Sequence, residues 1–370
     1  MNGPDLLLPA PVQAAPLPEV RNHTPHPSQY YQMMDVGDEV FHVIASRITY
    51  DLTRLDEQGA PPLAAVQAPL VEADEFYGDP TSSSCIQESD FAPYKPKCDI
   101  ILAHAVAYAP EGKPHQRWPV GIRIGEWQKM LAVTGARYVD RGLLGWKVTE
   151  PQKATQVPLR WELAYGGSCQ WPRHLKEDEE PEIFKAFEAN PLGTGWTDKA
   201  WLKKAQVADV DAPQIEVFDQ PFGTEEANAM AYPAVGVGPV GKWWTPRRQK
   251  AGTYDQAWKE SRWPRLPLDF DFGYWNAAPE DQQIDYPQGG EELVLAGLTA
   301  GQQVWRCKLP EPAIHAVLRM QIGPIVRLPM RLDTLVLDFK AGTLSCVYRI
   351  HVAAQFGPRV LEIRSGRAPI

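Results

Sequence analysis

The sequence predicts a mainly β protein: two packed antiparallel β units, sandwich- or barrel-like, with short helices in a Pro- and Gly-rich middle. Three observations carry this expectation. The 370-residue chain holds 36 prolines, about twice ordinary usage, and few helices longer than three turns survive between prolines, each of which removes a backbone donor and crowds the preceding turn. Runs rich in β-branched and aromatic residues recur along the chain. Helical periodicity shows at only a few places. Hydrophobic residues make up 44% and charged residues 22% of the chain, which is enough to bury a core and argues against broad disorder.

Residues 1–20 (MNGPDLLLPAPVQAAPLPEV) read as a flexible or polyproline-like tail. The first β-rich unit spans residues 21–170. Within it Phe41–Leu52 (FHVIASRITYDL) and Asp99–Tyr108 (DIILAHAVAY) read as strands. Val120–Trp127 and Lys129–Thr134 read as a hairpin turning near Gly125, with Val120, Ile122 and Ile124 on one inner face. Arg160–Tyr165 is a further short strand. Residues 171–250 form a helical and loop connector. A helix is predicted over Glu179–Ala189, with Pro181 in the first turn and Ile183, Phe184 and Phe187 at helical spacing. A second is predicted over Thr197–Val207, opened by a Thr-Asp cap signal. Residues 251–370 begin with a two-turn helix within Thr253–Arg262 and an aromatic-rich loop. They continue as strands, of which Asp333–Asp338 and Thr343–His351 flank Phe339-Lys340-Ala341-Gly342 as the clearest hairpin. The same reading admits one continuous domain, 21–370.

The net charge of −9 argues against a general nucleic-acid binder, which needs clustered Lys and Arg to meet phosphates. The cysteines, Cys85, Cys98, Cys169, Cys307 and Cys346, are odd in number, scattered and free of any CxxC spacing. Buried reduced thiols are expected rather than a disulfide framework or a zinc site. No apolar run approaches the ~18 residues of a membrane span. The N-terminal stretch has no positively charged region and its apolar part is interrupted by prolines, unlike a signal peptide. A cytoplasmic location is the expectation.

Motifs of known chemistry are weak. Gly236-Val237-Gly238-Pro239-Val240-Gly241 fits GxGxxG, but Pro239 removes a donor and no helix pattern follows, so a glycine-rich turn is expected. No HExxH, P-loop lysine or GxSxG occurs. Ser168 and Cys169 lack a local base, and His23 and His26 read as turn residues. Asp269, Asp271, Glu280 and Asp281 offer carboxylates for calcium or for a glycosidase pair, which needs two carboxyl groups ~5–10 Å apart across a cleft. Neither a metal nor a cofactor is expected.

Two stretches carry the candidate binding residues. Glu72–Lys97 contains Asp74, Tyr77, Ser89, Asp90, Tyr94 and Lys95. Pro93 and Pro96 force extended backbone around Tyr94 and Lys95, giving them a fixed presentation at small entropic cost. The competing reading is an edge segment whose tyrosine plugs a sheet. Ala251–Gln283 contains Tyr254, Asp255, Trp258, Trp263, Trp275, Asn276, Asp281 and Gln282. Aromatics beside carboxylates suit a docking surface, a glycan platform or plain framework. Trp258, Phe270 and Trp275 are expected to be at least half buried, with Asp255, Asp269 and Asp281 as turn and cap acceptors.

The ordered motifs NHTP, DEFYGDP, ESDFAPYKPKCDIILAHAVAYAP, NPLGTGW, VGPVGKWWTPR, AGTYDQAWKESRWPRLPLDFDFGYWNAAPEDQQ and LDTLVLDFKAGTLSCVYR give the chain a family resemblance. It resembles the bacterial domain-of-unknown-function 2169 family, found among type VI secretion accessory proteins, over roughly residues 21–352. The resemblance implies an adaptor or chaperone, not an enzyme. Its expected partners are a secreted effector and a spike or spike-tip (PAAR-repeat) protein, with no nucleic acid and no membrane. The alternatives are a cell-wall glycan hydrolase using the carboxylates of 269–281, and a glycan-binding module using Tyr254, Trp258 and Trp263.

Overall fold

The computed structural model describes residues 17–142, 145–171, 182–198, 201 and 209–366. Three larger sheets are built from β1 (Glu19–Asn22), β2 (Ser28–Met34), β3 (Val40–Asp51), β4 (Cys98–Ala103), β5 (Arg117–Ile124), β6 (Trp127–Thr134), β7 (Ile215–Val217), β8 (Gln283–Ile284), β9 (Glu292–Thr299), β10 (Gln302–Lys308), β11 (Ile314–Met320), β12 (Ile325–Pro329), β13 (Arg331–Asp338), β14 (Thr343–Ala353) and β15 (Pro358–Ser365). The six-stranded sheet runs β8-β4-β13-β14-β3-β2, the five-stranded sheet β7-β6-β5-β9-β10 and the four-stranded sheet β1-β15-β11-β12. The fold is mainly β with sandwich-like packing, and the described strands form no closed barrel.

The first two sheets join strands from both β-rich stretches of the chain, and β7 from the intervening stretch extends the five-stranded sheet beside β6. One core lies between the sheets. Alternation along each strand aims Ile44, Ile48, Ile100, Leu102, Leu335, Leu344 and Tyr348 of the first sheet at Val120, Ile122, Ile124, Leu131, Leu293 and Leu295 of the second. Ala316, Leu318, Leu361 and Ile363 of the third sheet close it. The hairpin β5–β6 pairs Ile124 with Trp127, and β13–β14 pairs Asp338 with Thr343 across Phe339-Lys340-Ala341-Gly342.

Four expectations are corrected. Residues 19 and 20 leave the predicted tail and, with 21 and 22, pair in parallel with β15, where their backbone groups find partners; residues 1–16 lie outside the described residues. The strand expected over Asp99–Tyr108 breaks at His104, which is left-handed (φ 54) and donates its backbone N–H to the Tyr77 hydroxyl at 2.8 Å. Val106–Tyr108 pairs with Gln156–Pro158 instead. Arg160–Tyr165 contains a 3-10 turn over Trp161–Leu163, because burying the Trp161 indole edge-on against Trp244 at 5.3 Å outweighs local strand preference. The helix predicted over Glu179–Ala189 is a strand over Glu182–Ala186, paired with Ser168–Trp171. That pairing satisfies its backbone, while Phe187 packs on Tyr165 at 5.2 Å; residues 179–181 lie outside the described residues. Of the helix predicted over Thr197–Val207, residue 201 is helical, and residues 199–200 and 202–208 lie outside the described residues. The helix expected within Thr253–Arg262 forms over Gln256–Ser261, with Asp255 as its cap accepting from the Trp258 N–H at 2.8 Å.

No described helix is long and apolar enough to cross a membrane. All five cysteines are buried and none is joined to another.

Candidate functional site

The second face of the six-stranded sheet is covered by the two stretches that the sequence singled out. Between cover and sheet runs a buried network of matched charges. Arg47 donates to Asp90 at 2.9 Å, and Asp90 also accepts the Val71 N–H at 2.8 Å. Arg349 donates to Asp333 at 2.6 Å, to the carbonyls of Asp90 and Ala92 at 2.8 Å each, and to the Tyr31 hydroxyl. Lys95 Nζ donates to Asp99 at 2.8 Å and to Thr334 Oγ1 at 2.9 Å. Asp99 further accepts from Asn276 Nδ2 at 3.0 Å and from the backbone of Ala277 and Ala278 at 2.9 and 3.2 Å.

Arg47, Lys95 and Arg349 thus face Asp90, Asp99 and Asp333, and all six are buried. Burial alone would depress the Lys95 ammonium, but Asp99 and Asp333 outweigh it and hold its pKa above the ordinary value. Buried charges persist only when paired and hydrogen-bonded. The network therefore fixes the cover on the sheet and leaves little freedom for Pro93 and Tyr94, which sit directly above it.

These contacts correct the expected presentation of Lys95. Lys95 points inward, as do Asp90, Asn276 and Gln282, each buried, because each satisfies a backbone or charge partner that would otherwise be orphaned. Gln282 Nε2 donates to the Val237 carbonyl at 2.8 Å, and Asn276 Nδ2 to that of Lys97 at 2.8 Å. Asp74, Tyr77 and Ser89 fasten the covering loop. Asp74 accepts from the Ser89 N–H at 3.0 Å and from Lys242 at 2.6 Å, Ser89 Oγ donates to the Glu72 carbonyl at 3.0 Å, and the Arg160 guanidinium lies 4.1 Å over the Tyr77 ring.

Of the candidate residues in this stretch, Tyr94 lines an apolar pocket, next to Pro93. This pocket, of about 220 Å³, is lined by Met33, Met34, Asp35, Phe41, Pro93, Tyr94, Phe272 and His351. Tyr94 meets His351 edge-on at 4.9 Å and Phe272 at 6.0 Å. Burial, then the charges of Arg331 and Arg349, push the His351 imidazole below its usual pKa, so its neutral form is favoured. Sequence reasoning missed Met33, Met34, Phe41, Phe272 and His351 as site residues. The one signal for them was compositional: a pair of methionines, the side chain best suited to irregular apolar gaps, closes β2.

A rim of aromatics stands beside the pocket. Arg262 donates twice to the Asp38 carboxylate at 3.0 Å and Arg265 once at 2.9 Å. This clamp ties the loop after Gln256–Ser261 to the β2–β3 turn, whose Asp35 lines the pocket. Tyr254 packs on Trp258 at 4.7 Å, and Trp258 Nε1 donates to the Arg265 carbonyl at 2.9 Å. Trp258 and Trp275 are half-buried and Phe270 is buried. Trp263 remains 68% exposed, Tyr254 52% and Leu268 72%.

The carboxylates of the same stretch are engaged locally. Asp269 accepts from the Thr253 N–H at 3.0 Å and Oγ1 at 2.7 Å, and Asp271 caps Gly273 at 2.7 Å. Glu280 pairs with Lys250 and Asp281 with Lys129, each at 2.7 Å. None of the four lines the apolar pocket. No group of three or more His, Cys, Asp or Glu among the described residues is placed to hold a metal.

The glycine run 236–241 is a loop packed on tryptophans. A Cβ on Gly236 would come within 2.9 Å of the Trp161 ring, and one on Gly241 within 2.6 Å of Trp244 Nε1. Close approach to indoles, rather than to a pyrophosphate, is what these glycines permit. A second, open depression of about 490 Å³ lies between Tyr108, Glu111, Gln156, Thr299 and Gln302, and none of the candidate residues lines it.

A model of the bacterial family described as "uncharacterized protein conserved in bacteria (DUF2169)" matches residues 37–349. The chain belongs to the DUF2169 family. The matched span takes in Phe41, Pro93, Tyr94, Phe272 and the whole aromatic rim of this DUF2169 protein, whereas Met33, Met34 and His351 stand just outside it. No curated protein and no solved structure matches the chain.

Proposed function

We propose that this DUF2169 protein is a non-catalytic adaptor that captures a partner protein on the pocket and rim formed by Tyr94, Phe272, His351, Tyr254 and Trp263. The partner class is a secreted effector of a type VI system or its spike-tip (PAAR-repeat) domain, which the adaptor helps to load on the spike from the cytoplasm. The observation that carries the reading is a solvent-facing apolar pocket tied through the Asp38 clamp to the loop that exposes Trp263 and Leu268, with exposed Tyr254 packed on Trp258 before it. Preformed aromatic anchors pay little ordering entropy on binding and dominate interface energetics. The engagement of Asp269, Asp271, Glu280 and Asp281 in caps, turns and ion pairs supports a framework role for them over a hydrolytic one.

Co-expression with the effector and spike proteins encoded beside it, followed by size-exclusion chromatography, tests this reading. The expected result is a stable complex that Tyr94→Ala and Trp263→Ala each weaken by tenfold or more, about 1.4 kcal/mol, while both variants stay folded. Folded protein that forms no complex with any neighbour would overturn it and direct attention to peptidoglycan digestion and glycan binding.

A further inference from the structure

The outer face of the four-stranded sheet is basic on an acidic protein. Residues directly opposite one another in paired strands share a face. With Ala316, Leu318, Leu361 and Ile363 in the core, the other face carries Val317 beside Glu362 and Arg327, Arg319 beside Val360 and Ile325, and His315 beside Arg364 and Pro329; its floor of Val317, Val360, His315 and Glu362 is buried, and the arginine side chains over it reach solvent. β1 adds Arg21 next to Glu362 and Glu19 next to Val360.

Four arginines therefore stand against two glutamates, although the whole chain carries a net −9. Glu362 is buried beneath two of them, accepting from Arg319 Nε at 2.5 Å and Arg364 Nε at 2.7 Å. Arg21 holds Glu19 at 2.8 Å. Arg327 is exposed and has no acidic partner among the described residues. The side chains of Arg21, Arg319 and Arg364 remain a third to a half exposed while paired. Each keeps donors free, since one guanidinium offers five N–H groups.

We propose that this face binds an acidic, extended segment of a partner protein. Arginine forks meet carboxylates two bonds at a time, and the excess of two positive charges, one from Arg327 and one from the two arginines that share Glu362, supplies the net attraction. Four strands ~4.8 Å apart make a face about 14 Å wide, the scale of one peptide segment. A nucleic-acid duplex would overrun it onto the acidic remainder of the molecule. Pro324 and Pro329 bracket β12 and shorten its free edge, so the guanidiniums, not strand addition, do the recognising. The face is separate from the Tyr94 pocket, and the inference does not rest on the adaptor reading.

Fluorescence anisotropy of a short labelled glutamate-rich peptide tests it on the full chain. Binding is expected at low salt, falling as salt rises. Arg327→Glu should weaken it roughly tenfold or more and Arg327→Ala by less, while Lys153→Glu, an equal charge change at an exposed site elsewhere, leaves it unchanged. Because Arg327 is exposed, its variants should melt like the wild type. Absence of binding, equal loss in Arg327→Glu and Lys153→Glu, or preference for anionic vesicles or an oligonucleotide over the peptide would each overturn the proposal.

Discussion

The ring of Tyr94 stands edge-on to that of His351 with centroids 4.9 Å apart. A loop residue set between prolines and the polar end of a long strand thereby form one wall of the pocket. Since burial and two arginines hold His351 neutral, its protonation must weaken this wall.

The first prediction concerns that imidazole. In the unfolded chain it takes up a proton near its ordinary pKa of ~6.5, and in the folded chain only at lower pH. The stability it contributes is therefore complete above the ordinary value and is lost as pH falls through the folded one. His351→Gln should flatten the fall in the urea midpoint between about pH 7 and pH 5. A residual slope is expected from His26 and His42, whose pKa values burial also lowers. An unchanged slope in His351→Gln would show that the ring is not coupled to folding.

The second concerns the Lys95–Asp99 pair. Asp99→Ala removes the acceptor of Lys95, Asn276 and two backbone N–H groups. It leaves a buried ammonium without its carboxylate, so a loss of about 3–5 kcal/mol is expected. Lys95→Met, which removes the charge and keeps the bulk, should cost less because Asp99 retains its other donors. Chemical denaturation separates the two. Equal, negligible costs would mean that the network does not secure the cover.

The third concerns acid stability. Hydrogen bonding from Arg319 and then Arg364 brings the Glu362 carboxyl pKa down to about 2. Its stabilising contribution is present above the ordinary carboxylate pKa, near 4.3, and is lost as pH falls through the folded value. Melting temperatures measured across this window should fall steeply in the wild type and less steeply in Glu362→Gln. Parallel curves would show that the buried carboxylate does not contribute.

The local signals that proved readable were those in which one short segment carries its own reason. The β5–β6 and β13–β14 hairpins follow from alternation bounded by turn residues, and the cap of Gln256–Ser261 from Asp255 three residues before Trp258. The signals that misled were those that distant contacts override. Glu182–Ala186 has helical spacing but pairs as a strand, and Trp161 turns out of a strand pattern to reach Trp244. In the candidate site, Tyr94 stood out as an aromatic between two prolines, and Tyr254, Trp258 and Trp263 as aromatics beside carboxylates. Lys95, Asp90, Asn276 and Gln282 looked equally polar and equally available, yet all turn inward.

By itself the sequence determined the mainly β class and the main hairpins, because alternation, turn chemistry and proline constraints act over a few residues. Only the tertiary structure decided which side chains of the two candidate stretches face solvent. Lys95 is buried because Asp99 and Thr334 are there to receive it, and His351 joins Met33 and Phe41 because β14, β3 and β2 are neighbours in the six-stranded sheet, while Phe272 comes from a 3-10 turn of the cover. Charge pairing and burial are properties of neighbours in space, and no local pattern specifies those.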